Sequence, residues 1–172
     1  PHAVKWGKDE DSQNRIKITD TATDEAYFRT VADLRMDSDL IENGSSLPIV
    51  YTPLHGTGAV SVIPALARAG FRNVHIVESQ REPDGNFPTV HSPNPEEGAA
   101  LSAAIERAKE VDAQLVLGTD PDADRVGIAV PDATTEGGWR LLNGNETGAL
   151  LVDYVVNGRA ANGTLQPGYD FV

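Results

Sequence analysis

Three aspartates stand at alternate positions in the run Gly118-Thr119-Asp120-Pro121-Asp122-Ala123-Asp124-Arg125. If that loop curls, the carboxylates of Asp120, Asp122 and Asp124 converge, and hard divalent cations want several anionic oxygens at short range. Without a cation the same three charges repel one another and raise their own pKa values. Calcium held in the EF-hand manner is set aside, because that loop needs glycine at its sixth position and glutamate at its twelfth, where this chain has Arg125 and Pro131. Magnesium suits the set better. Arg125 offers a planar fork that matches phosphate oxygens, while its spacing favours a salt bridge to the neighbouring carboxylates, and the two roles are compatible. Aspartate and proline are also common turn formers, so a solvated acidic turn is the plain alternative.

A loop of this kind does chemistry only where strands carry it into a ligand's reach. Leu47-Pro48-Ile49-Val50-Tyr51-Thr52 is a short apolar, β-branched run between turn formers and reads as a buried strand. Val60, Ile63, Leu66 and Ala67 then recur at helical spacing up to Gly70, a suitable C′ residue. Val74-His75-Ile76-Val77 gives a second strand. Asn94-Pro95-Glu96-Glu97 has the order N-cap, N1 proline, first-turn acids, and Leu101, Ala104, Ile105 and Ala108 supply the apolar face of the helix it should start. Gln114-Leu115-Val116-Leu117-Gly118 is the third strand and leads directly into the aspartates.

Strand, helix, strand, helix, strand predicts a parallel α/β sheet with right-handed crossovers. Val126-Gly127-Ile128-Ala129-Val130 follows after a loop too short for a crossover, so it returns antiparallel. The expected fold is therefore α/β, with a mixed, mostly parallel sheet flanked by helices and ending in one hairpin. In such sheets ligands bind at the carboxyl ends of the parallel strands, where the triad lies. Upstream, residues 1–20 are polar and read as a linker, with Arg15-Ile16-Lys17-Ile18-Thr19 able to pair as an edge strand. Thr21-Ala22-Thr23-Asp24 starts a helix over about 24–36. Downstream, Trp139-Arg140-Leu141-Leu142 and a helical pattern from Thr147 to Val156 follow the turn Glu136-Gly137-Gly138 and could open a second domain.

The formal charge of −12 surrounds the chain with a negative field that disfavours nucleic acid and anionic membrane surfaces as partners. An acidic protein that handles an anionic substrate needs a local bridge of opposite sign, and a bound dication is the simplest one. There is no cysteine, which excludes disulfides and thiolate zinc sites and fits a reducing cytoplasm. No apolar run approaches the roughly 20 residues needed to span a bilayer, and Pro1-His2-Ala3-Val4-Lys5 has no signal-peptide pattern. The chain lacks a starting methionine and stops mid-pattern at Tyr169-Asp170-Phe171-Val172, so an excised piece of a longer protein is expected.

The run at 118–125, with all three acids and the arginine, resembles the magnesium loop of the phosphoglucomutase/phosphomannomutase superfamily. Tyr51-Thr52-Pro53-Leu54-His55-Gly56-Thr57-Gly58 resembles the first strand-to-helix turn of that family's second domain. Phe87-Pro88-Thr89-Val90 with Pro93-Asn94-Pro95-Glu96-Glu97 is similar to the loop entering its next helix. Leu142-Asn143-Gly144-Asn145-Glu146-Thr147-Gly148-Ala149-Leu150-Leu151 looks like the opening of the third domain. The resemblance implies a linker from a first domain over 1–20, a metal-binding second domain over 21–132, and the truncated start of a third over 133–172.

It further implies an isomerase that works as an intramolecular phosphotransferase in carbohydrate metabolism. Such an enzyme interconverts sugar 1-phosphate and sugar 6-phosphate, glucose first among the candidates, through a phosphoserine and a bisphosphate intermediate. Mg²⁺ would be held by Asp120, Asp122 and Asp124, with Arg125 steadying phosphate oxygens. His55 and the backbone of Gly56 and Gly58 could line the floor of the substrate cleft, or only build a tight strand-to-helix turn. The family's phosphoserine motif, Thr-x-Ser-His-Asn-Pro, is absent here, as is the phosphate-gripping loop of its fourth domain. His91-Ser92-Pro93-Asn94-Pro95 holds similar residues in another order, and Ser92 is given no catalytic role. Alone, the piece is expected to be inactive. Two other readings stay open: a metal- or ligand-binding module without turnover, and a haloacid-dehalogenase-type phosphatase, which also begins with an apolar strand ending in Asp-x-Asp.

Overall fold

The computed structural model describes residues 10–166 and 168. The chain divides into two compact units, Pro1–Leu34 and Arg35–Val172.

The first unit holds a short helix α1 (Glu10–Asn14) and a longer helix α2 (Thr21–Asp33). α2 begins three residues earlier than its sequence pattern suggests because Asp20 caps it, accepting from the Thr23 backbone at 3.1 Å. An anionic acceptor at a helix N-terminus also meets the positive end of the macrodipole. The Arg15–Thr19 stretch is not a strand. Ile16 and Ile18 are exposed, and no ladder among the described residues takes up their backbone. Residues 1–9 of the expected linker lie outside the described residues.

The second unit opens with a short helix α3 (Ser38–Asn43), capped by Asp37. Strands β1 (Ile49–Thr52), β2 (Val74–Ile76), β3 (Leu115–Thr119), β4 (Val126–Pro131) and β5 (Trp139–Leu142) form one sheet in the order β2-β1-β3-β4-β5. β1 pairs parallel with both β2 and β3, while β4 and β5 add antiparallel pairings. The mixed sheet and its hairpin are thus as the strand and loop lengths require. β5 extends that sheet, because Gly137 and Gly138 take φ of 87° and 76° and turn the chain straight back onto β4. Every residue of β1 is buried, as expected of a central parallel strand covered on both faces.

Helix α4 (Ala59–Ala69) connects β1 to β2 and ends where Gly70 adopts φ 108°. Val60, counted on its apolar face from spacing, is instead 78% exposed. Helix α5 (Ser102–Glu110) connects β2 to β3 and packs on β1 and β3. Its Ala104 and Ala108 join Val50, Val77, Leu101, Ala113, Val116 and Ala129 in the core. α5 starts seven residues later than the Asn94-Pro95 signal suggests, and Asn94 is not its N-cap. Isolated turns run instead from Asn94 to Leu101, with Glu97 N bonded to Asn94 O and Ala100 N to Glu97 O. The cause is tertiary: Pro95 is fully buried against β4, so close that a Cβ on Gly127 would lie 2.0 Å from the Pro95 carbonyl oxygen.

Helix α6 (Gly144–Ala161) follows β5 behind a capping box in which Asn143 and Glu146 satisfy each other's backbone N–H groups. The Met36 backbone N–H donates to the Tyr154 hydroxyl at 3.0 Å, and Gly158 permits the close approach of Met36. No helix among the described residues is long and apolar enough to cross a membrane.

Candidate metal and phosphate site

Because Thr52 of β1 is in register with Gly118 of β3, the two parallel strands end side by side and their loops meet. The β3 loop turns within four residues. The Ala123 N–H donates to the Asp120 carbonyl at 3.0 Å, and Ala123 takes φ 60°, an uncommon conformation for a residue with a side chain. This turn brings one carboxylate oxygen from each of Asp120, Asp122 and Asp124 within 4.8 Å of the others. Asp120 is 1% exposed, whereas Asp122 and Asp124 face solvent.

The β1 loop braces this turn. The Thr57 N–H donates to the Pro121 carbonyl at 2.8 Å and its hydroxyl to the same oxygen at 3.1 Å. A Cβ on Gly56 would fall 2.3 Å from Pro121 Cα. A Cβ on Gly58 would fall 2.5 Å from both the Thr119 and Tyr51 side-chain oxygens, which bond to each other at 2.8 Å. The Gly56 N–H is taken by Pro53 O. Both glycines therefore let the two loops touch, and Gly56 has no amide left for a ligand. His55 is 4% exposed with φ 61°, its Nε2 lying 2.8 Å from the Thr89 hydroxyl. Ser92 sits apart on the exposed loop and donates to Glu97.

Arg125 donates twice to Asp120, from its backbone N–H at 3.0 Å and from Nε at 2.8 Å. Its Nε also lies 3.7 Å from Asp124. Burial pushes the Asp120 carboxyl up, but the bonds from Arg125 and Asp124 outweigh it and hold the group below the usual aspartate range. Asp124 moves the other way, raised by the hydrogen bond it shares with Asp120 and then by the negative charges of Asp122 and Asp120. Asp120 raises Arg125 in turn. Asp124 thus holds a proton more readily than an ordinary aspartate, while Asp120 stays ionised, and a dication would compete with that proton. All donors are hard oxygens, and two of the three side chains are exposed, so the set fits a cation of the magnesium and calcium class.

The polar connection behind His55 escapes sequence reasoning. Gln80 is fully buried, accepts from the Thr52 hydroxyl at 2.6 Å and donates to the Thr89 hydroxyl at 2.8 Å. Thr52 and Thr89 fall within the runs 51–58 and 87–90, but no periodicity or motif marks Gln80, which joins them.

The family model described as phosphoglucomutase/phosphomannomutase, alpha/beta/alpha domain II, matches residues 25–136. A probable phosphomannomutase of Haemophilus influenzae is 42% identical over 144 residues, covering 84% of this chain and 28% of that protein. A phosphoglucomutase of Staphylococcus epidermidis is also 42% identical over 144 residues, with 84% and 25% covered. A crystal structure of a phosphoglucomutase/phosphomannomutase family protein from Burkholderia thailandensis has the same fold. It aligns with a TM-score of 0.50 at 24% identity, covering 74% of this chain and 26% of its own. The chain spans about a quarter of the length of the curated relatives it matches.

Proposed function

The chain belongs to the phosphoglucomutase/phosphomannomutase family, and from that premise we propose that it is the metal-bearing portion of a sugar-phosphate mutase. Glucose phosphate is the first candidate substrate, and the cytoplasm the expected setting. The observation that carries the reading is a buried Asp120, gripped by Arg125 and joined by Asp122 and Asp124 at the carboxyl end of a parallel strand.

Asp120, Asp122 and Asp124 would hold Mg²⁺. Once bound there, the ion supplies positive charge beside the oxygens of a phosphoryl group. Arg125 does two things. Its Nε fixes Asp120 as a carboxylate ready to ligate, and the rest of its half-exposed guanidinium is left to contact a phosphate oxygen. Thr57, Gly56 and Gly58 hold the loop that carries these groups. His55 lines the neighbouring surface.

Residues 21–132 would be the second domain and 133–172 the opening of a third. α6 supports the latter, since Leu150, Leu151 and Val152 are more than half exposed, an apolar surface suited to burial under further chain. Here β5 ties the opening of that next part to the sheet.

Residues 1–172 should not interconvert glucose 1-phosphate and glucose 6-phosphate by themselves, because no phosphoserine motif is present. A polypeptide that adds the remaining domains should. The test is a coupled mutase assay on both. Turnover by the 172 residues alone, or none by the complete polypeptide, would contradict the reading.

A further inference from the structure

Four side chains form one hydrogen-bonded line from β1 to the surface: Thr52, Gln80, Thr89 and His55. Its direction as far as Thr89 follows from its buried end. The Thr52 oxygen already accepts the Leu54 N–H at 3.1 Å, and among the described residues its own proton has one acceptor, Gln80 Oε1. Gln80 therefore presents its NH₂ group to Thr89. Turning the amide round would leave the fully buried Thr52 hydroxyl proton without an acceptor, which is unfavourable. Thr89 is exposed and its oxygen can accept more than once, so at 2.8 Å it can either donate to Nε2 of His55 or accept from it. Donation by Thr89 places the ring proton on Nδ1.

Nδ1 makes no hydrogen bond among the described residues, and among those same residues no buried side-chain nitrogen or oxygen lacks a partner. Nδ1 is thus the ring nitrogen that reaches solvent, on a residue that is otherwise buried. The next residue, Gly56, lies against Pro121, between two aspartates of the triad. We infer that Gln80 and Thr89 are positioning residues that lock His55 as the Nδ1–H tautomer, so that the ring offers a neutral hydrogen-bond donor to an acceptor oxygen of the ligand beside the metal loop. This deepens the phosphosugar reading above and rests on it for the ligand. A neutral donor adds no charge to the triad, and its direction is fixed before the ligand arrives.

The tautomer can be read without any turnover. Long-range ¹H–¹⁵N spectra of ¹⁵N-histidine-labelled protein, with His55 assigned by its loss in His55→Gln, should show a protonated Nδ1 and a bare Nε2. Thr89→Val removes the hydroxyl at an exposed position but leaves the buried Gln80 NH₂ without that partner, so its melting temperature and amide spectrum are compared with the native protein's before the tautomer is read. The variant should move His55 towards the Nε2–H form, the usual one in water, and Thr89→Ser should restore the native pattern. In calorimetric titrations of the complete polypeptide with glucose 1-phosphate, Thr89→Val should weaken binding by roughly three- to tenfold, the range for one lost hydrogen bond. An Nε2–H tautomer in the native protein, or an unchanged tautomer or affinity in Thr89→Val, overturns the inference. If the mutase assay fails while the Nδ1–H tautomer stands, the functional reading falls and the relay remains.

Discussion

Gly56→Ala should loosen the metal loop without touching a ligand. The new Cβ would lie 2.3 Å from Pro121 Cα and 2.5 Å from its carbonyl oxygen, against an ordinary contact of 3.4 Å or more. The obstacle is backbone on both sides, so the β1 and β3 loops must part by about 1 Å. That shift stretches both bonds from Thr57 to Pro121, now 2.8 and 3.1 Å, beyond useful length. Two lost hydrogen bonds at about 1 kcal/mol each, with overpacking strain of about 1–3 kcal/mol, predict a total loss of about 3–5 kcal/mol. Urea denaturation gives that number, and Mg²⁺ titration of the folded variant should show weaker binding, because the turn setting the spacing of Asp120, Asp122 and Asp124 has lost its brace. Stability within about 0.5 kcal/mol of the native protein, together with unchanged Mg²⁺ affinity, would refute the reasoning.

Other perturbations test the remaining parts. Mg²⁺ affinity should rise with pH through the elevated Asp124 titration and level off above it, since the cation competes with a proton that Asp124 keeps to higher pH than an ordinary aspartate; calorimetry over a pH series that gave a flat profile would contradict this. Gly127→Ala should destabilise the fold by about 3 kcal/mol or more, because its Cβ would meet the Pro95 carbonyl at 2.0 Å, and thermal unfolding measures it. Asn143→Ala should remove half of the capping box of α6 and lower stability by about 1 kcal/mol in the same experiment, with no effect on Mg²⁺ binding.

What could be read in advance was local. Ile49–Thr52 and Leu115–Thr119 are short apolar runs between turn formers, and the aspartates repeat at alternate positions within a single loop, so one stretch of chain holds both the signal and its structure. The start of α5 was not legible from Asn94-Pro95. The competing force is the packing of Pro95 on Gly127, 32 residues away in a strand whose partner the local pattern does not name. β5 had the same difficulty: its alternation is weak, and membership of the sheet is decided by the Gly137-Gly138 turn. Arg125 was legible as a binder of anions or of its neighbours, and the structure gives it the second of these roles through Asp120. Thr52, His55 and Thr89 stood in runs that carry the family resemblance, but their connection through Gln80 was not legible, because the members are joined across 28, 9 and 34 residues and carry no shared spacing.

Isothermal titration of Mg²⁺ into the protein and into Asp122→Ala bears on all of this. Asp122 is exposed, so its removal should leave the melting temperature in metal-free buffer unchanged. The native chain should bind Mg²⁺ saturably at one site, and the variant should lose that binding. No saturable binding in the native chain, or equal binding in the variant, would mean that the three carboxylates do not serve a cation.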